Sequence, residues 1–251
     1  LGRKIRIGSR NTAPAFDWNH AAGWGACLEG VRAVYVNYSP DLAIDGATDS
    51  IAEFVKQAKA HGVRHLVLLS GRGESEAQAC ERIVQESGLD WTVVRASWFN
   101  QNFSEGAFID MVQAGIITLP ASTIPEPFVD VDDIADVAVA AFTEPGHAGE
   151  IYEVTGPRLM TFADVAEELS AATGRTIRYQ EIPHEAFVAS VKESGAPDDV
   201  VWIMDYLFST VLDGRNARMA DGIERALKRP AKDFADYAQE VAATGAWKGL
   251  S

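Results

Sequence analysis

At 251 residues, 47% hydrophobic and 23% charged, the chain suits one large globular domain or a domain with a smaller lobe. A formal net charge of −14 with no basic run disfavours direct nucleic-acid binding and anionic membrane surfaces. Cys27 and Cys80 lack metal-site spacing, and no apolar run approaches the roughly 18 residues of a membrane span, so the expectation is a cytoplasmic protein with no metal and no disulfide.

In chain order, the first element is "KIRIGSRN", Lys4 to Asn11, where Lys4–Gly8 reads as a strand delivering Arg10 at its tip. The junction "LGRKIRIG" resembles a helix end at Leu1-Gly2 followed by a strand. An upstream first strand, a glycine-rich phosphate turn and most of a helix are therefore expected to precede what is written. Next, Gly30 stands before a strand at Ala33–Tyr38, Gly62 ends a helix over Ala47–His61 before a strand at His65–Ser70, and Gly88 ends a helix over Glu74–Ser87 before a strand at Trp91–Arg95. Glycine is favoured just past a helix end because positive φ costs it no Cβ clash. These strands are almost continuously apolar, as when helices cover both faces of a parallel sheet. Repeated β–α–β of this kind predicts an α/β, doubly wound sheet of Rossmann type.

Beyond Arg95 the pattern changes. "ASWFNQNFSEGAFIDMVQAG" is aromatic and helical in its second half, and "ITLPASTIPEPFVD" reads as a loop with three prolines leading through a short strand into a helix capped by Asp132 or Asp133. Ile151–Val154 is a further strand. In "MTFADVAEELSAATG", Thr161 and Asp164 form a capping box and Gly174 is the stop. "IRYQEI" is a strand, "PHEAFVASVKESG" a helix with Pro183 in its first turn, and the chain from Asp198 is mostly helical. The division expected is a dinucleotide-binding domain over 1–155 and a smaller α+β C-terminal lobe over 156–251, with 101–124 contributing to the substrate side.

Arg10 is the sharpest candidate for chemistry. At the tip of the second strand of such a sheet an acid favours NAD through the ribose 2′-hydroxyl, whereas an arginine accommodates the 2′-phosphate of NADP. Ser9, Arg10 and Asn11 offer a hydroxyl, a guanidinium and an amide, with no carboxylate until Asp17. The competing reading is a solvated arginine paired with a nearby acid. Asn37, Tyr38 and Ser39 follow a strand at the ligand-facing end, or make an ordinary Ser-Pro-Asp turn; Ser70 and Gly71 occupy the equivalent place one strand later. Trp98, Phe99, Phe103 and Phe108 form either an apolar pocket or plain core. None of the six tyrosines has a lysine four residues on, and there is no lysine between Lys59 and Lys192. The Tyr-x-x-x-Lys pair that serves alcohol and ketone chemistry is thus absent, and catalytic residues stay unassigned. Hydride delivery to an electron-poor acceptor does not require that pair. The histidines (20, 61, 65, 147 and 184) show no ligand spacing, and Asp132-Asp133 is explained by capping.

Taken together, "KIRIGSRN", "HLVLLSG", "GLDWTVVRASWFNQN", "PFVDVDDIADVAVAAF" and "YEVTGPRLMTFADVAEELSAATGR" resemble the NmrA-like branch of the atypical short-chain dehydrogenases/reductases, over nearly the whole chain. The resemblance implies a Rossmann domain binding NAD(P), NADPH in preference to NADH. Members of that branch include quinone- and azo-reductase-like enzymes, isoflavone-reductase-like enzymes and redox-sensing regulators. By resemblance, Arg10 takes the 2′-phosphate, Asp17 and Trp18 the adenine edge, Asn37 to Ser39 the cofactor-lining strand end, and Ala96, Ser97, Trp98 and Phe99 the nicotinamide side. Two departures stand out: the glycine-rich loop is absent from the sequence, and Gln78 lies where isoflavone-reductase-like members carry a lysine. The expected function is NADPH-dependent reduction of a quinone-like or other conjugated small molecule. A non-catalytic NADP(H) sensor acting through a protein partner is the alternative, and a homodimer stays open.

Overall fold

The computed structural model describes residues 4–121 and 123–248. A sheet of four strands runs in the order β1 (Ala33–Val36), β2 (His65–Gly71), β3 (Asp90–Ala96), β5 (Glu150–Val154). β1 and β2 are parallel, with Ala33 opposite His65 and Val36 opposite Leu68. A second sheet joins β4 (Ile116–Leu119) and β6 (Arg178–Glu181), also parallel. The helices are α1 (Trp24–Leu28), α2 (Ala47–Ala60), α3 (Ser75–Gln85), α4 (Ile109–Ala114), α5 (Val131–Thr143), α6 (Phe162–Thr173), α7 (His184–Glu193), α8 (Asp198–Tyr206), α9 (Gly222–Leu227) and α10 (Phe234–Thr244).

The chain divides into two compact units, each with its own core. The first comprises Leu1–Ser70, Glu74–Val93 and Ala141–Ile151. Its core is built on α2, whose buried Ile51, Phe54, Val55 and Ala58 recur at helical spacing, and on β2, where Leu66, Val67 and Leu68 are fully buried in succession. The second comprises Gly71–Gly73, Val94–Ala140 and Tyr152–Ser251. Its core is aromatic: Phe103, Phe108, Phe128, Phe162, Phe208 and Phe234 pack edge to face or tilted around one another. Burying each such side chain contributes roughly 1.5–3 kcal/mol against chain entropy.

The junction glycines behave as their positions demand: Gly30, Gly62 and Gly88 all have positive φ, at 72°, 80° and 75°. Thr161 and Asp164 form the reciprocal capping box expected of them, Asp164 N donating to Thr161 Oγ1 at 3.1 Å and Thr161 N to Asp164 Oδ2 at 2.7 Å. Thr161→Ala is expected to lower stability by about 1 kcal/mol, read as a lower thermal midpoint with unchanged secondary structure.

Four expectations need correction. Lys4–Gly8 forms no strand; Ile5 and Ile7 are exposed, and no described strand hydrogen-bonds to the segment, so its alternation has no partner to order it. The proposed helix end at Leu1-Gly2 lies outside the described residues. The cap of α5 is Asp130, whose Oδ1 accepts from Asp132 N at 2.9 Å, while Asp132 and Asp133 sit in the first turn. Ile117–Leu119, read as the start of a loop, belongs to β4, held by four residue pairs with β6. Pro183 directly precedes α7 rather than lying inside it.

Candidate functional site

In the first unit, the segment after Gly8 is a tight turn. The Ser9 carbonyl accepts from Thr12 N at 3.2 Å and Phe16 N at 2.9 Å, and Ser9 Oγ accepts from Asn11 N at 3.2 Å. Arg10 projects from this turn, exposed, and its guanidinium makes no hydrogen bond or ion pair among the described residues. The acid pairing that the competing reading required is not formed. Trp18 donates its Nε1–H to the Asn37 carbonyl at 3.1 Å, and its ring lies 4.8 Å from that of Tyr38. Asp17 holds the same turn, its carbonyl accepting from Trp24 Nε1 at 2.7 Å and its Oδ1 from Asn19 N. Asp17, Trp18, Asn37 and Tyr38 are thus brought together, and Ser39 follows them exposed at the end of β1. Ser70 is different: its buried hydroxyl donates to Glu81 Oε1 at 2.6 Å, so only its backbone is left for a ligand. Burial and the neighbouring Asp41 push the Glu74 carboxyl well above the usual range, and burial raises Asp41 as well.

In the second unit, Gly71–Gly73 meets the segment 213–218. Arg72 lies on Ala96 and Ser97, with its N–H on the Ala96 carbonyl at 3.0 Å and its Nη1 on Ser97 Oγ at 3.3 Å and the Asn216 carbonyl at 2.9 Å. Asn216 Nδ2 donates back to the Arg72 carbonyl at 3.0 Å, and Arg215 Nη1 to that of Gly73 at 3.0 Å. Gly73, at φ 83°, is required here: a Cβ would meet the Asn216 side chain at 2.5 Å. Glu153 on β5 gathers Arg72 Nε at 3.2 Å, Arg95 Nη1 at 3.1 Å and Arg218 Nη2 at 2.9 Å. Burial alone would raise the Glu153 carboxyl, but Arg218, Arg72 and Arg95 outweigh it and hold it below the usual value.

Trp98 and Phe99 are half-buried at the end of β3, where Phe99 bridges Val129, and Trp98 packs 5.2 Å from Phe208. Phe103 is not a pocket wall: it is fully buried among Phe108, Phe128, Phe162 and Phe234. Phe108 is likewise core. Arg72, Glu153 and Asn216 escaped sequence reasoning, because their partners lie far away along the chain and only the flanking glycines of "SGRG" drew notice. Among the described residues no group of His, Cys, Asp or Glu could hold a metal ion, and no helix is long and apolar enough to cross a membrane.

A family model described as the NmrA-like family matches residues 22–237. The chain belongs to the NmrA-like family. Within the curated proteins it is 33% identical over 227 residues to a protein named NAD(P)H azoreductase, from Xenophilus azovorans, covering 87% of this chain and 78% of the relative. Among solved structures it resembles the NADPH-dependent quinone oxidoreductase of Escherichia coli in complex with NADPH, with a TM-score of 0.76, 21% identity, and 90% and 82% of the two chains covered. The Citrobacter sp. triphenylmethane reductase with NADP(H) matches at a TM-score of 0.76, 18% identity and the same coverage. At such identities the structural likeness speaks for the fold, a Rossmann-like α/β fold. The chain is an oxidoreductase of the NmrA-like family.

Proposed function

We propose that this NmrA-like chain is an NADPH-dependent reductase passing hydride to a quinone-like, azo or other conjugated small molecule. Kinship with an NAD(P)H azoreductase carries this reading. The donor set of the first unit suits the cofactor: the unpaired Arg10 guanidinium, with Ser9 and Asn11 beside it in one turn and no acid between them, matches a phosphate better than a hydroxyl. Asp17, Trp18, Asn37, Tyr38 and Ser39 would line the adenosine half; Gly71, Ala96, Ser97 and the Ser70 backbone would line the remainder. When bound, NADPH supplies the hydride. Residues 1–155 then serve the cofactor. Trp98 and Phe99, with 101–124 and the lobe 156–251, serve the acceptor.

Purified protein should oxidise NADPH with at least one member of a quinone, azo-dye and enone panel. Tight NADPH binding without any turnover would instead favour the sensor. Arg10→Asp is expected to weaken NADPH binding by at least about tenfold while leaving NADH binding nearly unchanged, measured by calorimetric titration. Equal losses for both would remove Arg10 from the phosphate site.

A further inference from the structure

Two carboxyl groups of the first unit, Asp41 in the loop after β1 and Glu74 directly before α3, hydrogen-bond to one another through their side chains. The segments that carry them also meet in the core. Leu42 is buried in one cluster with Ala77 and Cys80 of α3, and Cys80 Sγ donates to the Leu42 carbonyl at 3.7 Å. Asp41 caps its own turn, its Oδ1 accepting from Ala43 N at 2.8 Å and its carbonyl from Ile44 N at 3.5 Å. Glu74 is only 6% exposed, and its Oε2 has no hydrogen-bond partner.

Ionised carboxylates are acceptors only, so this hydrogen bond exists only while one of the two keeps a proton. The geometry says which. Asp41 is the better anion, because a backbone N–H already donates to it, whereas an ionised Glu74 would leave a charged oxygen buried without a donor. The charges that act on Glu74 share its sign: Asp41 across the bond, and Glu76 and Glu81 along α3. Glu76 accepts from Ser75 Oγ at 3.0 Å and Glu81 from Ser70 Oγ at 2.6 Å, both neutral hydroxyls. The Cys80 thiol, pushed up to about 11 by burial, adds no charge at neutral pH. Burial and these acids together keep the proton on Glu74 well above the ordinary glutamate range.

We infer that Asp41 and Glu74 share one proton as a latch, which holds the loop after β1 against the start of α3 and opens when base removes that proton. Glu74 donates and Asp41 accepts. Hydroxide takes the proton as water, and the two carboxylates left in contact repel one another. Asn37 to Ser39 lead directly into this loop, so the latch also sets NADPH affinity; that clause rests on the cofactor reading above.

Glu74→Gln is the test, because its amide N–H replaces the acid O–H towards Asp41 and does not titrate. Linkage fixes the sign: a carboxyl raised in the folded state contributes stability in full below its unfolded value and loses it as pH rises towards the folded one. In cofactor-free protein, the urea midpoints of wild type and variant should therefore coincide in mild acid and diverge from about pH 5 upwards, the variant becoming the more stable. Exchange of the Ala43 and Ile44 amides, corrected for its intrinsic rate, should accelerate at least about tenfold with pH in the wild type alone. The NADPH dissociation constant should rise over the same range, again in the wild type alone. A gap that stays constant with pH, or a variant that loses ground as pH rises, overturns the latch. Should Glu74→Gln not fold, Asp41→Asn, which keeps the turn-capping oxygen, either shows the same divergence or overturns it. A pH-independent NADPH affinity beside a widening stability gap overturns the link to the cofactor. Failure to bind NADPH at any pH overturns the cofactor reading and leaves the latch, whose first two readouts need no cofactor.

Discussion

Gly156→Ala is expected to destabilise the protein by more than about 3 kcal/mol, a large share of the roughly 5–15 kcal/mol by which an ordinary domain is stable. A Cβ on Gly156 would stand 2.0 Å from the Phe128 carbonyl oxygen and 3.2 Å from its carbon. Both are backbone atoms, so no rotamer change relieves the clash. The approach is fixed from the other side by the Gly156 N–H, which donates to the Pro127 carbonyl at 3.1 Å. Pushing 126–129 away would also break the pairing of Val129 with Trp98 and Phe99 and carry Glu126 off its neighbours. Gly146→Ala is the control: φ there is 94° but a Cβ meets nothing within 4 Å, so only backbone strain of about 1 kcal/mol is expected. Urea unfolding of the two variants side by side measures the difference, and equal costs would discard the close-approach account.

Glu153→Gln should cost about 3 kcal/mol, because it leaves a buried guanidinium without its counter-ion. The Arg72 side chain is only 2% exposed and that of Arg95 only 16%, whereas Arg218 is 61% exposed and can turn to water. The loss therefore falls mainly on Arg72, and through it on Ser97 and Asn216. The pH dependence has a definite sign. The folded Glu153 carboxyl lies below its ordinary value, so its stabilisation is complete above the unfolded-state value and is lost as pH falls through the depressed one. The gap between wild type and variant should thus be widest near neutrality and close in acid. A gap that stays constant down to strongly acidic pH would show that the effect is steric.

What the sequence disclosed is what local chemistry determines. The stops at Gly62 and Gly88 and the Thr161–Asp164 box involve residues within a turn of each other, and they stand as read. The apolar runs of β2 and β3 were legible because the sheet buries both faces. Partner-dependent features were not legible. Lys4–Gly8 alternates like a strand, but alternation gives no hydrogen-bonding neighbour. β4 is a four-residue run ending at a proline and is defined only by its pairing with β6. With Asp130, Asp132 and Asp133 so close together, spacing alone does not identify the cap. Of the candidate site, Arg10 was singled out from a strand that does not form and Trp18 from the family resemblance, and only Asn37 to Ser39 followed from a strand end. The Arg72–Glu153 pair joins residues 81 apart.

The indole of Trp18, hydrogen-bonded to the Asn37 carbonyl and set against Tyr38, has an optical consequence. Trp24, 5.5 Å away, is almost wholly enclosed, whereas Trp18 is partly open to solvent beside the turn that carries Arg10. Were the cofactor to dock beside Arg10 as proposed above, its reduced nicotinamide, which absorbs where indole emits, would quench Trp18, and that proposal would be readable in the native protein without any label.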